Sequence, residues 1–221
     1  MLDQIMTIIA PHHCCECGQI GMLLCDNCKY NIISEPENVC LACGKACGER
    51  GICSECRTSY DRAWHVGKRA DTLQRLIGLY KFERARSAYR PLASLLDAVL
   101  PQLPGGTVLV PVPTVSSHIR QRGYDHTLLV VKRLASIRGL KWSRTLNRQT
   151  NTMQRHASAR LRKAQAKEAF TVNGQVDPST TYLLIDDVTT TGATLQYAAK
   201  TLKDAGANNV WVAGIARQAL D

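Results

Sequence analysis

The stretch Leu183-Leu184-Ile185-Asp186-Asp187-Val188-Thr189-Thr190-Thr191-Gly192-Ala193-Thr194 decides how the rest of the chain is read. Three aliphatic residues run without interruption into two adjacent carboxylates, and a hydroxyl-rich turn with one glycine follows. An unbroken apolar run of this kind marks a strand covered on both faces, because a half-exposed strand alternates. The tip of such a strand is where open α/β sheets take their ligands. If a helix starts after Gly192, its first N–H groups point at an anion, the threonine hydroxyls add donors, and glycine lets the backbone approach closely. Two neighbouring carboxylates repel each other unless a cation or hydrogen-bonding hydroxyls occupy them, and the hydroxyls of a ribose meet that need. An ordinary helix N-cap would account for one aspartate but not for the threonine run. The candidate ligand residues are therefore Asp186, Asp187, Thr189, Thr190, Thr191, Gly192 and Thr194. On this reading Asp187→Asn is expected to cost the fold little.

Outward from this stretch the chain alternates strands and helices. Residues 182–188, 193–205 and 209–216 read as strand, helix and strand. Upstream, Leu73, Leu76, Ile77 and Tyr80 fall at the spacing of one helical stripe. Leu92, Leu95, Leu96, Val99 and Leu100 form a second stripe, stopped by Pro101 and the Pro104-Gly105-Gly106 turn. Residues 107–112 read as a buried strand, 125–139 as a helix, and 143–148 and 169–172 as further strands. Residues 149–160 are too polar to bury and read as a functional loop, with helix continuing over 161–166. This order predicts an α/β fold with a mostly parallel sheet covered on both faces.

All ten cysteines lie between Cys14 and Cys56. They form two copies of one unit, Cys14-x-x-Cys17-Gly18 with Cys25-x-x-Cys28, and Cys40-x-x-Cys43-Gly44 with Cys53-x-x-Cys56. Four such pairs are the donor set of two tetrahedral zinc sites. The duplication favours sequential pairing, and a cross-brace of 14/17 with 40/43 is the alternative. Cys15 and Cys47 are left as non-ligands, and His12 and His13 as exposed polar residues or substitute ligands. The predicted organisation is a zinc module over 1–62, with 57–68 as exit strand and linker, and an α/β domain over 63–221. Replacing Cys40 is expected to unfold the first part and spare the second.

No secretory signal or membrane-spanning run is evident, and residues 1–9 suit a short amphipathic helix, so a reduced, cytoplasmic chain is expected. Charge is uneven: residues 1–56 hold three Lys/Arg against seven Asp/Glu, whereas 118–168 hold thirteen against two. That excess favours a polyanionic partner. Arg155, Arg160, Arg162 and Lys163 are candidates to grip a single-stranded backbone, and aromatics at 5% argue against sequence-specific base reading.

The residues 186–194 resemble the loop that binds phosphoribosyl pyrophosphate (PRPP) in type I phosphoribosyltransferases. The whole order of motifs narrows the likeness. Four Cys-x-x-Cys pairs precede Lys81-Phe82, Val110-Pro111-Val112-Pro113, Arg120-x-Arg122-Gly123-Tyr124, a Gln154 to Arg160 stretch before Ala169-Phe170, and then the loop. In this the chain is similar to the ComF/GntX family. The resemblance departs at Arg122-Gly123-Tyr124-Asp125-His126, where members commonly carry Arg-Gly-Phe-Asn-Gln, and at Gln165, where an asparagine is usual. It implies a type I phosphoribosyltransferase fold, two zinc ions, binding of Mg²⁺–PRPP, and work on transforming single-stranded DNA beside a DNA-uptake helicase or other competence proteins. Lys81, Arg120 and Arg122 become candidate pyrophosphate contacts, and Val110–Pro113 the pyrophosphate side of the crevice. In such enzymes a nucleophile attacks C1 of PRPP while Mg²⁺-bound pyrophosphate leaves. No residue stands out as the catalytic base. An orthodox salvage phosphoribosyltransferase acting on a free base is one rival, and a non-enzymatic zinc adaptor for a DNA-processing partner is another.

Overall fold

The computed structural model describes residues 11–34, 38–149 and 170–218. The expected N-terminal helix, Gln165, and the basic segment with Arg155, Arg160, Arg162 and Lys163 lie outside the described residues.

Five strands form one sheet: β1 (Arg62–Lys68), β2 (Val108–Pro111), β3 (Lys141–Trp142), β6 (Thr181–Thr189) and β7 (Asn209–Arg217), in the order β1-β7-β6-β2-β3. Every pairing in it is parallel. A separate antiparallel pair joins β4 (Leu146–Arg148) to β5 (Phe170–Val172). The segment expected to be an exit strand and linker is thus the edge of the main sheet, with Arg62 to Lys68 in register with Trp211 to Arg217.

Both faces of the sheet are covered, which is why its central strands lack polar alternation. Leu183 and Ile185 of β6 point into one core, and Tyr182 and Leu184 into the other. The first core is closed by α2 (Asp71–Lys81), α3 (Tyr89–Val99) and α5 (His126–Arg138), which supply Leu76, Leu92 and Leu134. The second is closed by α6 (Ala193–Asp204), which supplies Leu195, Ala198 and Leu202. Neighbouring strands β2 and β6 therefore send their following helices to opposite faces. The carboxyl ends of two such neighbours are the usual ligand position in open α/β sheets.

Each cysteine unit packs on one face. Cys14, Leu24, Cys25 and Cys28 enter the first core, and α1 (Asp26–Ile33) continues from the first unit toward α3, where Lys29 donates to Ser94 at 2.6 Å. Leu41 of the second unit is fully buried in the second core beside Tyr60 and Ala63. Two short helices had no apolar stripe to announce them: α1, and α4 (Ser116–Arg122), which buries no residue.

Candidate ligand site and metal centres

Strand β6 carries the two aspartates just past the end of β2, where Val112 N–H donates to the Ile185 carbonyl at 2.9 Å. The aspartates have different surroundings. Asp187 is 8% exposed, and one of its oxygens meets both the Lys81 ammonium, at 2.7 Å, and Nε2 of His126. Burial alone would raise its pKa, but the His126 hydrogen bond and the Lys81 charge outweigh it and hold the carboxyl well below the usual range. Asp186 is partly exposed and has no cation in direct contact among the described residues. Burial and the charge of Asp187 push its pKa up to about 7.

His126 is itself oriented. Nη1 of Arg122 lies 2.9 Å from its Nδ1. A guanidinium only donates, so Nδ1 accepts and Nε2 carries the proton given to Asp187. Arg122 also donates from Nε to the Lys81 carbonyl at 3.1 Å. Tyr80, immediately before Lys81 in α2, donates to the His126 carbonyl at 2.8 Å and stacks on Tyr124 at 5.4 Å. Lys81 and Arg122, expected as pyrophosphate contacts, thus belong to one network around Asp187, while Arg120 is exposed on α4. His126 was missed by sequence reasoning. Its only signal was its place in the Arg122–His126 run. The network also overturns the expectation that Asp187→Asn costs the fold little, because the change would leave a buried ammonium unpaired.

After β6 the chain turns through Thr190, Thr191 and Gly192, with Thr190 and Thr191 exposed and Thr194 partly so. Gly192 is left-handed, at φ 70°, and starts α6 with no side-chain cap of its own; Ala193 N–H donates to the Thr191 hydroxyl at 3.4 Å, and the N–H groups that follow in the first turn have no intrahelical acceptor. Thr189 is buried, and its hydroxyl has no hydrogen-bond partner among the described residues. The second cysteine unit backs this turn: a Cβ on Gly192 would lie 3.6 Å from Ala42 Cα.

The cysteine sulfurs gather as Cys14, Cys17, Cys25, Cys28 and as Cys40, Cys43, Cys53, Cys56, all four of each set within 4.8 Å of one another. The pairing is sequential, not a cross-brace. Sulfurs of Cys17 and Cys25, and of Cys43 and Cys53, are 3.6 Å apart, close to the roughly 3.8 Å edge of a tetrahedron with the usual zinc–sulfur bond. The two knuckles fold alike. Gly18 N–H donates to the Cys14 carbonyl and Gly44 N–H to that of Cys40, with φ 76° and 77° at the glycines. Burial would raise the first thiol of each unit, but backbone N–H groups aimed at the sulfurs bring Cys14 down to about 6 and Cys40 to about 7. Crowding by the other sulfurs raises Cys28 and Cys56 instead. As thiolates, four sulfurs this close hold a metal ion, and the two donor sets fit two zinc sites. Cys15 and Cys47 lie outside both sets, as do His12, which meets Ser87 at 3.0 Å, and His13.

No protein-family model matches the chain. Competence protein F of Haemophilus influenzae is 31% identical over 215 residues, covering 88% of this chain and 90% of its own length. The chain belongs to the ComF family. Two proteins named DNA utilization protein YhgH are also similar to this ComF-family chain. That of Salmonella typhi is 30% identical over 86% of this chain and 88% of its own length. That of Salmonella typhimurium is 28% identical over 86% and 94%. The matched span of the ComF chain holds both the crevice and much of the cysteine region. Among its described residues no helix is long and apolar enough to cross a membrane.

Proposed function

We propose that this protein binds Mg²⁺–PRPP in the crevice between β2 and β6 and single-stranded DNA beside it, and that it works in the uptake or processing of transforming DNA. The N-terminus of α6, reached from the Asp186–Asp187 strand through the Thr190–Gly192 turn, carries this reading. Asp186 faces the ribose hydroxyls as the more exposed carboxylate. Open N–H groups of α6, with Thr190, Thr191 and Thr194, hold the 5′-phosphate, and Thr189 supplies an unpartnered donor at the base of the turn. Asp187, already balanced by Lys81 and His126, keeps the strand tip in place. Magnesium comes with PRPP and neutralises its pyrophosphate. The names of the relatives, competence protein F and DNA utilization protein, support the biological setting.

Calorimetric titration with PRPP and Mg²⁺ tests the reading, with and without an oligonucleotide. Saturable binding that needs Mg²⁺ is expected, and absence of any PRPP heat overturns it. An orthodox salvage phosphoribosyltransferase acting on a free base is the rival reading. Release of pyrophosphate on adding a free purine or pyrimidine would favour it.

A further inference from the structure

The Lys81–Asp187 network is absorbed by the crevice, and the cavity between β1, α3 and the second cysteine unit, with about 360 Å³ of space, holds no group that points to a ligand. The β3 side of the sheet is different. From His126 to Lys167 the sequence contains no Asp or Glu. The described part of this run forms α5, β3 and β4, and it exposes Lys132, Lys141, Arg144 and Arg148. None of the four is paired with a carboxylate among the described residues. Trp142, at the outer edge of the sheet, is 39% exposed. The Lys132 ammonium lies 4.8 Å from its ring centroid.

The chain path gives these residues a direction. Strand β3 pairs with the start of β2, Lys141 beside Val108 and Trp142 beside Leu109, and Ser143 N–H continues the ladder to the Leu109 carbonyl. The next residues leave the ladder and enter β4, which pairs with β5. They reach Arg148, whose guanidinium sits 5.5 Å from the Phe170 ring. Cations and one exposed indole thus lie on the outer strand of the sheet and on the segment that leads from it to β4.

We infer that this edge is a binding track for single-stranded nucleic acid, in which Lys132, Lys141, Arg144 and Arg148 meet successive phosphates and Trp142 stacks on a base. The inference rests on the DNA-binding part of the proposed function and assigns it to a surface. An acidic protein would satisfy the cations, but it has no use for the exposed indole. Phosphates alternating with flat bases use both. No base edge is read by such an arrangement, so sequence preference is weak.

The test is fluorescence anisotropy of a labelled oligothymidylate, titrated with the zinc-loaded full chain over a range of salt. Trp142→Ala is expected to weaken binding roughly tenfold with an unchanged salt slope, because a stacked base releases no counterion. Trp142→Phe, which keeps an aromatic face, is expected to recover most of the loss. Lys132→Ala/Lys141→Ala/Arg144→Ala is expected to flatten the logarithmic salt slope by about 2, at about 0.7 for each phosphate that is no longer neutralised. The three basic side chains are exposed, so the triple variant should melt with the wild type, and Trp142→Phe controls for the packing that Trp142→Ala removes. If the wild type binds and both variants match it in affinity and slope, the track is wrong while DNA binding stands. A wild type that does not bind oligothymidylate removes both. If polyglutamate displaces the oligonucleotide equally from wild type and Trp142→Ala, the edge serves an acidic partner and the inference falls.

Discussion

Lys81 and His126 share one oxygen of Asp187 in a setting with little access to water. Breaking such a pair from one side leaves a stranded charge, at a cost of about 3–5 kcal/mol in well-buried cases. Asp187→Asn and Lys81→Met should therefore each lower stability by roughly 3 kcal/mol. The double variant should lose less than the sum, because neither charge is then left alone. Urea denaturation of the three variants checks this, and strict additivity would argue against the pair. Asp186 behaves in the opposite sense. An unfolded aspartate ionises near pH 4, whereas this one ionises at about 7. Between those values the folded form holds a proton that the unfolded form has lost, so stability falls as pH rises through the window. Asp186→Asn removes that slope. Its melting temperature should exceed the wild type's at about pH 8, and the margin should shrink toward pH 5. A margin independent of pH would contradict the environment assigned to Asp186.

At the level of elements, the two knuckles offer a matched comparison. Gly18 and Gly44 have the same left-handed backbone, but a Cβ on Gly18 meets nothing within 4 Å, whereas one on Gly44 would lie 2.0 Å from the Arg217 guanidinium. Gly18→Ala should cost only the backbone term, about 1 kcal/mol. Gly44→Ala should cost more, since Arg217 is buried at the end of β7 and must give way. Thermal melts of the pair check this, and equal losses would mean that the knuckle does not press on the sheet. The same scale separates what was legible in the sequence from what was not. The long strands and helices were read to within a residue or two, because unbroken aliphatic runs and helical stripes follow directly from burial. The place of β1 in the sheet was not legible. Its partner β7 lies some 150 residues away (Arg62 pairs with Trp211), and no local pattern carries that pairing. The strand tip bearing Asp186 and Asp187 was evident from adjacent residues. The Lys81–His126–Arg122 network was not, because three separate segments converge on it.

Across the whole molecule, the cysteine units are part of the sheet's packing. Leu41, next to Cys40, is fully buried in the second core, and the Cys40 unit stands behind the turn at Gly192. This corrects the expectation that loss of Cys40 would spare the α/β part. Structural zinc is worth about 10–16 kcal/mol of apparent binding free energy coupled to folding. Cys40→Ser should therefore lower the melting temperature of the entire chain in one transition and weaken the turn that faces the crevice. Elemental analysis should find two zinc ions per wild-type chain, and one or fewer would contradict the two sequential sites. The central claim, a phosphoribosyl pyrophosphate site at the β6 tip, is tested most directly by Mg²⁺–PRPP calorimetry on Asp186→Asn and Thr191→Val, paired with their thermal melts. Neither side chain carries the Asp187 network, so both variants should stay folded with zinc bound and lose most of their PRPP affinity. Unaltered PRPP affinity in both would contradict the site.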